Sequence, residues 1–344
     1  MAGAVPAGDS PGSGGARDFS PAVARREAAE EFTRLAESGA LDMPLPGSGR
    51  TEERFRALRT VAERDLCVAR LAEGHADALA ILAELKGPAP RPGERWGVWA
   101  AEPPGEGLTA VRKGGAWQVS GVKRYCSGAS SCTRVLATAV ADGGRRLFAV
   151  DIEAAGERCR PVPGSWQAIG MAGSDTPDVR FDAVPAEPVG GVEAYLRRPG
   201  FQHGGVGVAA CWYGGARAVA RTLAGAVHTR KPDPHLAAHL GHVDMRLHAA
   251  ETVLRRAAQE IDRDPLDQQG EARVRSLRVR ALVESVCADT LVRVGRATGA
   301  GPLCHDLRHA RNVADLTVYI RQHHAERNLA ELGSLIAGPE GGSR

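Results

Sequence analysis

Gly121-Val122-Lys123-Arg124-Tyr125-Cys126-Ser127-Gly128-Ala129 decides the fold, read together with Gly170-Met171-Ala172-Gly173-Ser174-Asp175-Thr176-Pro177-Asp178-Val179-Arg180-Phe181. The first stretch ends a strand on an aromatic ring and sets a hydroxyl two residues further on. The second is a glycine-rich turn that runs into another strand. Around them, from Trp96 to about Val189, the apolar period is two. Trp117-Gln118-Val119-Ser120 alternates, and Asp142-Gly143-Gly144 reads as a hairpin turn between Arg134–Val140 and Arg146–Val150. Short strands with Gly and Pro between them predict a small antiparallel barrel.

On both sides the pattern turns helical. Ala22 to Gly39 is amphipathic, with Phe32 and Leu35 on one face, and a longer helix is expected from Thr51 through Leu85, broken near Gly74. Gly87-Pro88-Ala89-Pro90-Arg91-Pro92-Gly93 ends the helical region, because proline lacks the amide donor and blocks the preceding turn. Beyond Pro199, Leu236, Leu240, Val243, Leu247, Ala250, Leu254, Ala257 and Ile261 recur in steps of four and three, the stripe of a helix packed in a bundle. Helices over 203–229, 234–263, 271–298 and 305–336 are predicted. The fold class is therefore α+β and mostly α. A tail over 1–20, expected to be disordered, precedes an N-terminal helical domain (21–92), a middle β domain (93–198) and a C-terminal four-helix bundle (199–344).

Composition narrows the function. Among 344 residues, 44 are basic and 41 acidic, a net charge of +3, which leaves no electrostatic footprint for nucleic acid. No run of about 18 apolar residues suggests a membrane span. Met1–Ser20 lacks the basic start and apolar block of a signal peptide. The cysteines number seven, are widely spaced and form no CxxC pair, so free thiols and a cytoplasmic protein are expected.

The order helices, barrel, bundle, with the two quoted stretches in the barrel, resembles the acyl-CoA dehydrogenase family. Leu35-Ala36-Glu37-Ser38-Gly39-Ala40-Leu41, Ala62-Glu63-Arg64-Asp65-Leu66-Cys67-Val68-Ala69 and Arg311-Asn312-Val313-Ala314-Asp315-Leu316-Thr317-Val318-Tyr319-Ile320 are similar to further segments of that family. The resemblance implies bound FAD. Tyr125 would pack on the flavin ring, Ser127 would hydrogen-bond its reactive nitrogen, and Cys126 and the amides of Gly128 and Ala129 would lie against it. Ala100 and Ala101 would meet the pyrimidine edge, and Arg230 the pyrophosphate of a neighbouring subunit. A strand-end turn of Ser and Gly has the same local composition; the surrounding domain order favours the flavin. The implied activity is oxidation of the α,β carbons of an acyl group on coenzyme A or a carrier protein, in a homodimer or homotetramer.

Three departures bear on activity. Ala101 replaces a threonine, and Gly107-Leu108 replaces a Ser-Asp pair, in the loop that follows the first strand. The family's catalytic glutamate follows a tyrosine; here Tyr319 precedes Ile320-Arg321-Gln322-His323-His324. The alternative position for a base carries Gln202 and His203. His203, His323 and His324 are thus the candidate substitutes. A flavin-dependent monooxygenase on the same fold, which needs no glutamate base, and a non-catalytic acyl-binding or scaffold relative are the alternatives. His235, His239 and His242 fall at i, i+4 and i+7 with no carboxylate or cysteine at partner spacing, so no metal is expected. His305 and His309 are expected at the surface, and Gly204-Gly205-Val206-Gly207 to serve close helix packing.

Overall fold

A computed structural model of the chain describes residues 20–105, 107–229 and 231–338. Helix α1 (Pro21–Glu37) starts where the Ser20 hydroxyl accepts from the Val23 amide, and it buries Ala24, Ala28, Phe32 and Leu35. Helix α2 (Thr51–Arg64) and α3 (Leu66–Glu84) follow. The break falls at Asp65, not near Gly74 as the sequence predicts. The Asp65 carboxylate accepts from the Cys67 and Val68 amides and caps α3. Gly74 lies inside α3, where its missing side chain leaves room for Arg70 and the backbone of Val98.

The strands are β1 (Trp96–Trp99), β2 (Leu108–Lys113), β3 (Ala116–Lys123), β4 (Arg134–Ala141), β5 (Gly144–Asp151), β6 (Cys159–Pro161) and β7 (Val179–Val189). Antiparallel pairings link β2 to β3, β3 to β7, β7 to β5 and β5 to β4, and a parallel bridge from Thr109 to Val140 returns β4 to β2. The ring of five strands is a barrel; β1 pairs beside β4 and β6 beside β7. Ala141 opposite Gly144 makes the expected two-residue hairpin, with Asp142 and Gly143 both at positive φ. The register of β3 on β7 shifts between Val119 and Gly121. Gly121 takes φ +124, and a Cβ there would lie 2.5 Å from the carbonyl of Gly107, so only glycine fits this kink.

The short helix α4 (Ile152–Ala155) lies between β5 and β6, and α5 (Ala194–Arg197) between the last strand and the bundle. The bundle comprises α6 (Pro199–Thr229), α7 (Pro234–Arg263), α8 (Ala272–Thr298), α9 (Gly301–His305), α10 (Leu307–Tyr319) and α11 (Ala325–Ala337). Leu236, Val243, Ala250, Leu254, Ala257 and Ile261 are buried on α7 as their spacing predicts, with Leu240 and Leu247 partly buried. The expected single last helix is instead three. Asp306 caps α10 through the His309 amide, and a 3-10 turn over Ile320–Gln322 runs into an extended His323. Gly204 and Gly205 face Asp77 and Ser276 closely, which confirms close packing there. His309, expected at the surface, is buried and bonds Thr222 at 2.8 Å.

One apolar core runs from the barrel interior (Trp117, Val119, Phe148, Phe181) through α3 into the bundle. A second packs Ala78, Ile81 and Leu82 of α3 on the outside of the barrel, against Trp96, Leu136, Leu147 and Val189. Helix α3 is therefore wedged between barrel and bundle. Each fully buried side chain of this size is worth about 1.5–3 kcal/mol of transfer free energy, so the wedge fixes the two bodies against each other.

Candidate functional site

The two stretches that open the sequence reading meet in space. Cys126 N–H donates to Pro177 O at 2.9 Å, Gly128 N–H to Ser174 O and Asp175 O at 2.9 Å, and Ser130 N–H to the Asp175 carboxylate at 2.8 Å. Ala129 N–H donates to Asp175 O at 3.2 Å. The amides of Gly128 and Ala129, expected to serve a ligand, are thus spent on the facing turn. Tyr125, Met171 and Asp175 all take positive φ (59, 60 and 43) without being glycine. Each such residue costs on the order of 1–3 kcal/mol and persists only where the surroundings enforce it, commonly at functional sites.

The product of this strain is a wall. The Tyr125 ring is 55% exposed, while Ser127, two residues on, is buried. The Thr176 hydroxyl donates to Ser127 Oγ at 3.1 Å, and Trp99 Nε1–H donates to the Ser127 carbonyl at 2.9 Å. Among the described residues no acceptor takes the Ser127 hydroxyl proton. A flat ring beside a held hydroxyl with a spare proton fits the face and edge of an isoalloxazine, which asks the protein for position and hydrogen bonds. The Trp166 indole N–H is likewise buried without a partner. Ala100 and exposed Ala101 follow β1 and lead into a loop whose Gly105 passes the Arg124 side chain. Glu102 of that loop turns inward. With Thr138 it holds the Lys123 ammonium, whose Nζ is 2.8 Å from Glu102 and 2.7 Å from Thr138 Oγ1. Burial pushes the Lys123 pKa down, opposed by Glu102. Arg230 lies outside the described residues.

Across α3 from the wall sits a polar cluster. Ile320 is buried where a base would follow Tyr319. His203 is buried and committed to the Pro265 carbonyl at 3.1 Å, and Gln202 accepts from Arg273 at 3.3 Å. His324 is exposed. His323 differs from all of these: it is buried, and neither ring nitrogen has a partner. Burial, with the charges of Arg280, His324 and Arg321, pushes its pKa down to about 4, so the imidazole is neutral at pH 7. The Tyr319 hydroxyl is also buried, with no nitrogen or oxygen partner and only the Cys211 thiol beside it.

Sequence reasoning missed the charges around them. Arg70 pairs with Glu73 at 2.5 Å, and Arg54 with Asp77 at 3.2 Å. Burial raises the Glu73 pKa, opposed by Arg70. Arg70, Glu73 and Asp77 fall at i, i+3 and i+7 on the otherwise alanine-rich α3. A charged stripe on a helix apolar elsewhere was the available signal. The Cys132 thiol beside Gly128 and the Tyr319 hydroxyl both feel the Arg70 charge, so α3 bridges wall and cluster. A cavity of about 560 Å³ between α1 and α10 has Glu27, Asp65, Arg311 and Asp315 in its lining, but neither Tyr125 nor Ser127. His242, one of the evenly spaced histidines, bonds Asp289 at 2.6 Å, and no group of three metal-ligating side chains forms among the described residues. No described helix is long and apolar enough to cross a membrane.

No family model and no curated protein matches the chain. Solved structures do. The dibenzothiophene monooxygenase TdsC of Paenibacillus sp. A11-2, solved with FMN and indole, gives a TM-score of 0.72 at 18% identity over 91% of this chain and 96% of that one. The methanesulfinate monooxygenase MsuC of Pseudomonas fluorescens gives 0.71 at 20% over 92% and 96%. The nitrososynthase of Micromonospora carbonacea var. africana gives 0.73 at 20% over 93% and 94%. At these identities the likeness is one of fold. That fold, helices, barrel and helices, is acyl-CoA dehydrogenase-like.

Proposed function

We propose that this chain is a flavin-dependent monooxygenase that uses reduced FMN, delivered by a separate reductase, and molecular oxygen. The observation that carries this is at Tyr319: the next residue is the buried Ile320, and the first uncommitted ionisable group beyond it is the neutral His323. Oxidation of an acyl thioester at its α,β carbons needs a positioned base, typically worth ~10²–10⁴-fold. Ile320 is none, and the nearby carboxylates Glu73 and Asp77 are each paired with an arginine. TdsC, on the same fold, was solved with FMN, which supports FMN over the FAD implied by sequence resemblance.

When bound, the flavin supplies the activation of oxygen, one atom going to substrate and the other leaving as water. The chain's own residues do the rest. Tyr125 presents its ring as a wall. Ser127, held from behind by Thr176 and Trp99, offers its hydroxyl proton to a ring heteroatom. His323, desolvated and neutral, presents one hydrogen-bond donor and one acceptor; with its pKa pushed down to about 4 it is too weak a base to replace the missing carboxylate. The packing of α3 between barrel and bundle keeps bulk water from the interior.

The test is anaerobic titration of the FMN-loaded protein with butyryl-, octanoyl- and palmitoyl-CoA, followed by mixing of its reduced form with oxygen. The expected result is no bleaching by any thioester, and a rate of flavin reoxidation that the protein changes relative to free FMN. Ser127→Ala should weaken FMN binding by about 0.5–1.5 kcal/mol, the net worth of one hydrogen bond. Stoichiometric bleaching by a saturated acyl-CoA would establish the dehydrogenase instead.

A further inference from the structure

Arg280 on α8 stands over the Trp212 ring, its guanidinium carbon 4.6 Å from the ring centroid. It donates to the carbonyls of Gly205 at 2.8 Å and Gln322 at 3.3 Å. A guanidinium carries five donors, so the fork is not filled by these two bonds. Among the described residues no carboxylate lies within salt-bridge distance of it. The charge pairs around it, Arg70 with Glu73, Arg54 with Asp77 and Arg321 with Glu284, each match one cation with one anion, and the Glu73 charge reaches Arg280 only through space. The neighbourhood therefore holds one more cation than anion.

The atoms facing this cation are unsatisfied too. Trp212 and Tyr319 meet edge to face with centroids 6.4 Å apart. The Trp212 indole N–H and both nitrogens of His323 are buried without partners, and the Tyr319 hydroxyl has only the weakly bonding Cys211 thiol beside it. His323 follows the Gln322 whose carbonyl Arg280 holds, so the backbone fixes the imidazole beside the guanidinium. Buried polar atoms are nearly always hydrogen-bonded. Three orphaned atoms and a weakly satisfied hydroxyl around one unpaired cation mark a place where a ligand supplies the partners.

We propose that Arg280 anchors an anionic oxygen group of the substrate, a carboxylate or a group of like charge, against Trp212, with Tyr319 and His323 completing the hydrogen-bonding wall. That the ligand is the substrate rests on the monooxygenase reading; the anion site itself does not. Arg suits this task because its planar fork meets an oxyanion through two parallel bonds.

The experiment is calorimetric titration of the full chain, flavin-free and FMN-loaded, with acetate and benzoate against acetamide and benzamide. The anions should bind about tenfold or more tightly than their amides, the scale of a hydrogen bond to a charged group. Arg280→Met should abolish the preference, and Arg280→Lys should weaken binding while keeping it. Equal binding of anion and amide, or a preference unchanged in Arg280→Met, would overturn the proposal. Should Arg280→Met not fold, since Arg280 also ties Gly205 to Gln322, phenylglyoxal labelling of the wild type decides. Protection of Arg280 by benzoate and not by benzamide supports the site; labelling that benzoate leaves unchanged refutes it. Failure of FMN to bind, with the anion preference intact, would remove the monooxygenase reading alone.

Discussion

Asp315 shows how one side chain ties the turn to the bundle. Its carboxylate accepts from the Met171 amide at 2.5 Å and lies beside Cys67. Burial raises its pKa from 3.8 to about 6, against the pull of the Met171 amide and Arg311. Between these values the folded state binds more protons than the unfolded one, so this group's contribution is full below about pH 4 and is lost as pH rises to about 6. His75 and His323, each lowered to about 4, act in the opposite sense, so the wild-type curve alone is uninformative. Asp315→Asn keeps an acceptor for Met171 and cannot ionise. Relative to wild type it should gain about 3 kcal/mol between pH 4 and pH 7, at 1.36 kcal/mol per pKa unit. Urea midpoints of both proteins across that range measure it, and parallel profiles would show that Asp315 keeps its ordinary pKa. At this scale the sequence was readable where the neighbours in space are neighbours in the chain. Tyr125 and Ser127 are two residues apart and sit on one wall. That Arg280 faces the charged stripe of α3 was not readable, because α8 and α3 are brought together only by tertiary packing. His203 looked as promising as His323 until the Pro265 carbonyl was seen to hold it.

Elements were legible where periodicity spoke and illegible where a single cap decided. The α7 stripe and the Asp142-Gly143 hairpin follow from spacing and turn chemistry alone. The breaks at Asp65 and at Ile320–Gln322 do not, because Asp is a poor landmark inside a long helical pattern unless its cap bonds are known. The docking of the Gly170–Asp175 turn on α10 is of the same kind. A Cβ at Gly170 would lie 2.1 Å from the Ala314 carbonyl oxygen and 2.9 Å from the Val318 side chain. Neither the helix backbone nor the strained Met171 beside it can yield cheaply. Gly170→Ala should therefore cost about 1–3 kcal/mol, the usual penalty for overpacking. It should also weaken FMN binding, because the turn is what braces Ser127 through Thr176. Chemical denaturation and flavin fluorescence quenching on the same sample check both halves. A variant with wild-type stability would mean that the turn has slack which the close approach does not suggest.

For the whole molecule, the order of layers was legible because a helical period, a period of two and a helical period again follow one another along the chain, whereas the wedge of α3 between two bodies depends on both of its faces finding partners. That wedge carries a consequence for ligand binding. The candidate flavin wall belongs to the barrel, the polar cluster to the bundle, and α3 contacts both. A flavin seated at the wall should stabilise the folded chain, because a ligand that binds only the native state adds RT ln(1 + [L]/Kd), about 2.7 kcal/mol at a hundredfold excess over Kd. Stability should also report on the bundle, not on the barrel alone. Thermal unfolding followed by tryptophan fluorescence samples Trp96, Trp99, Trp117 and Trp166 in the barrel region and Trp212 in α6. With FMN the transition should rise as one, and Trp212→Phe, which removes the bundle reporter, should show the same shift. FAD at equal excess over its own Kd should give the same increment and differ only in the concentration needed. A shift confined to the barrel tryptophans would mean that α3 does not couple the bodies. No shift at concentrations that quench FMN fluorescence would mean that the flavin does not bind the folded chain in preference to the unfolded one, and the whole reading of Tyr125 and Ser127 would fall.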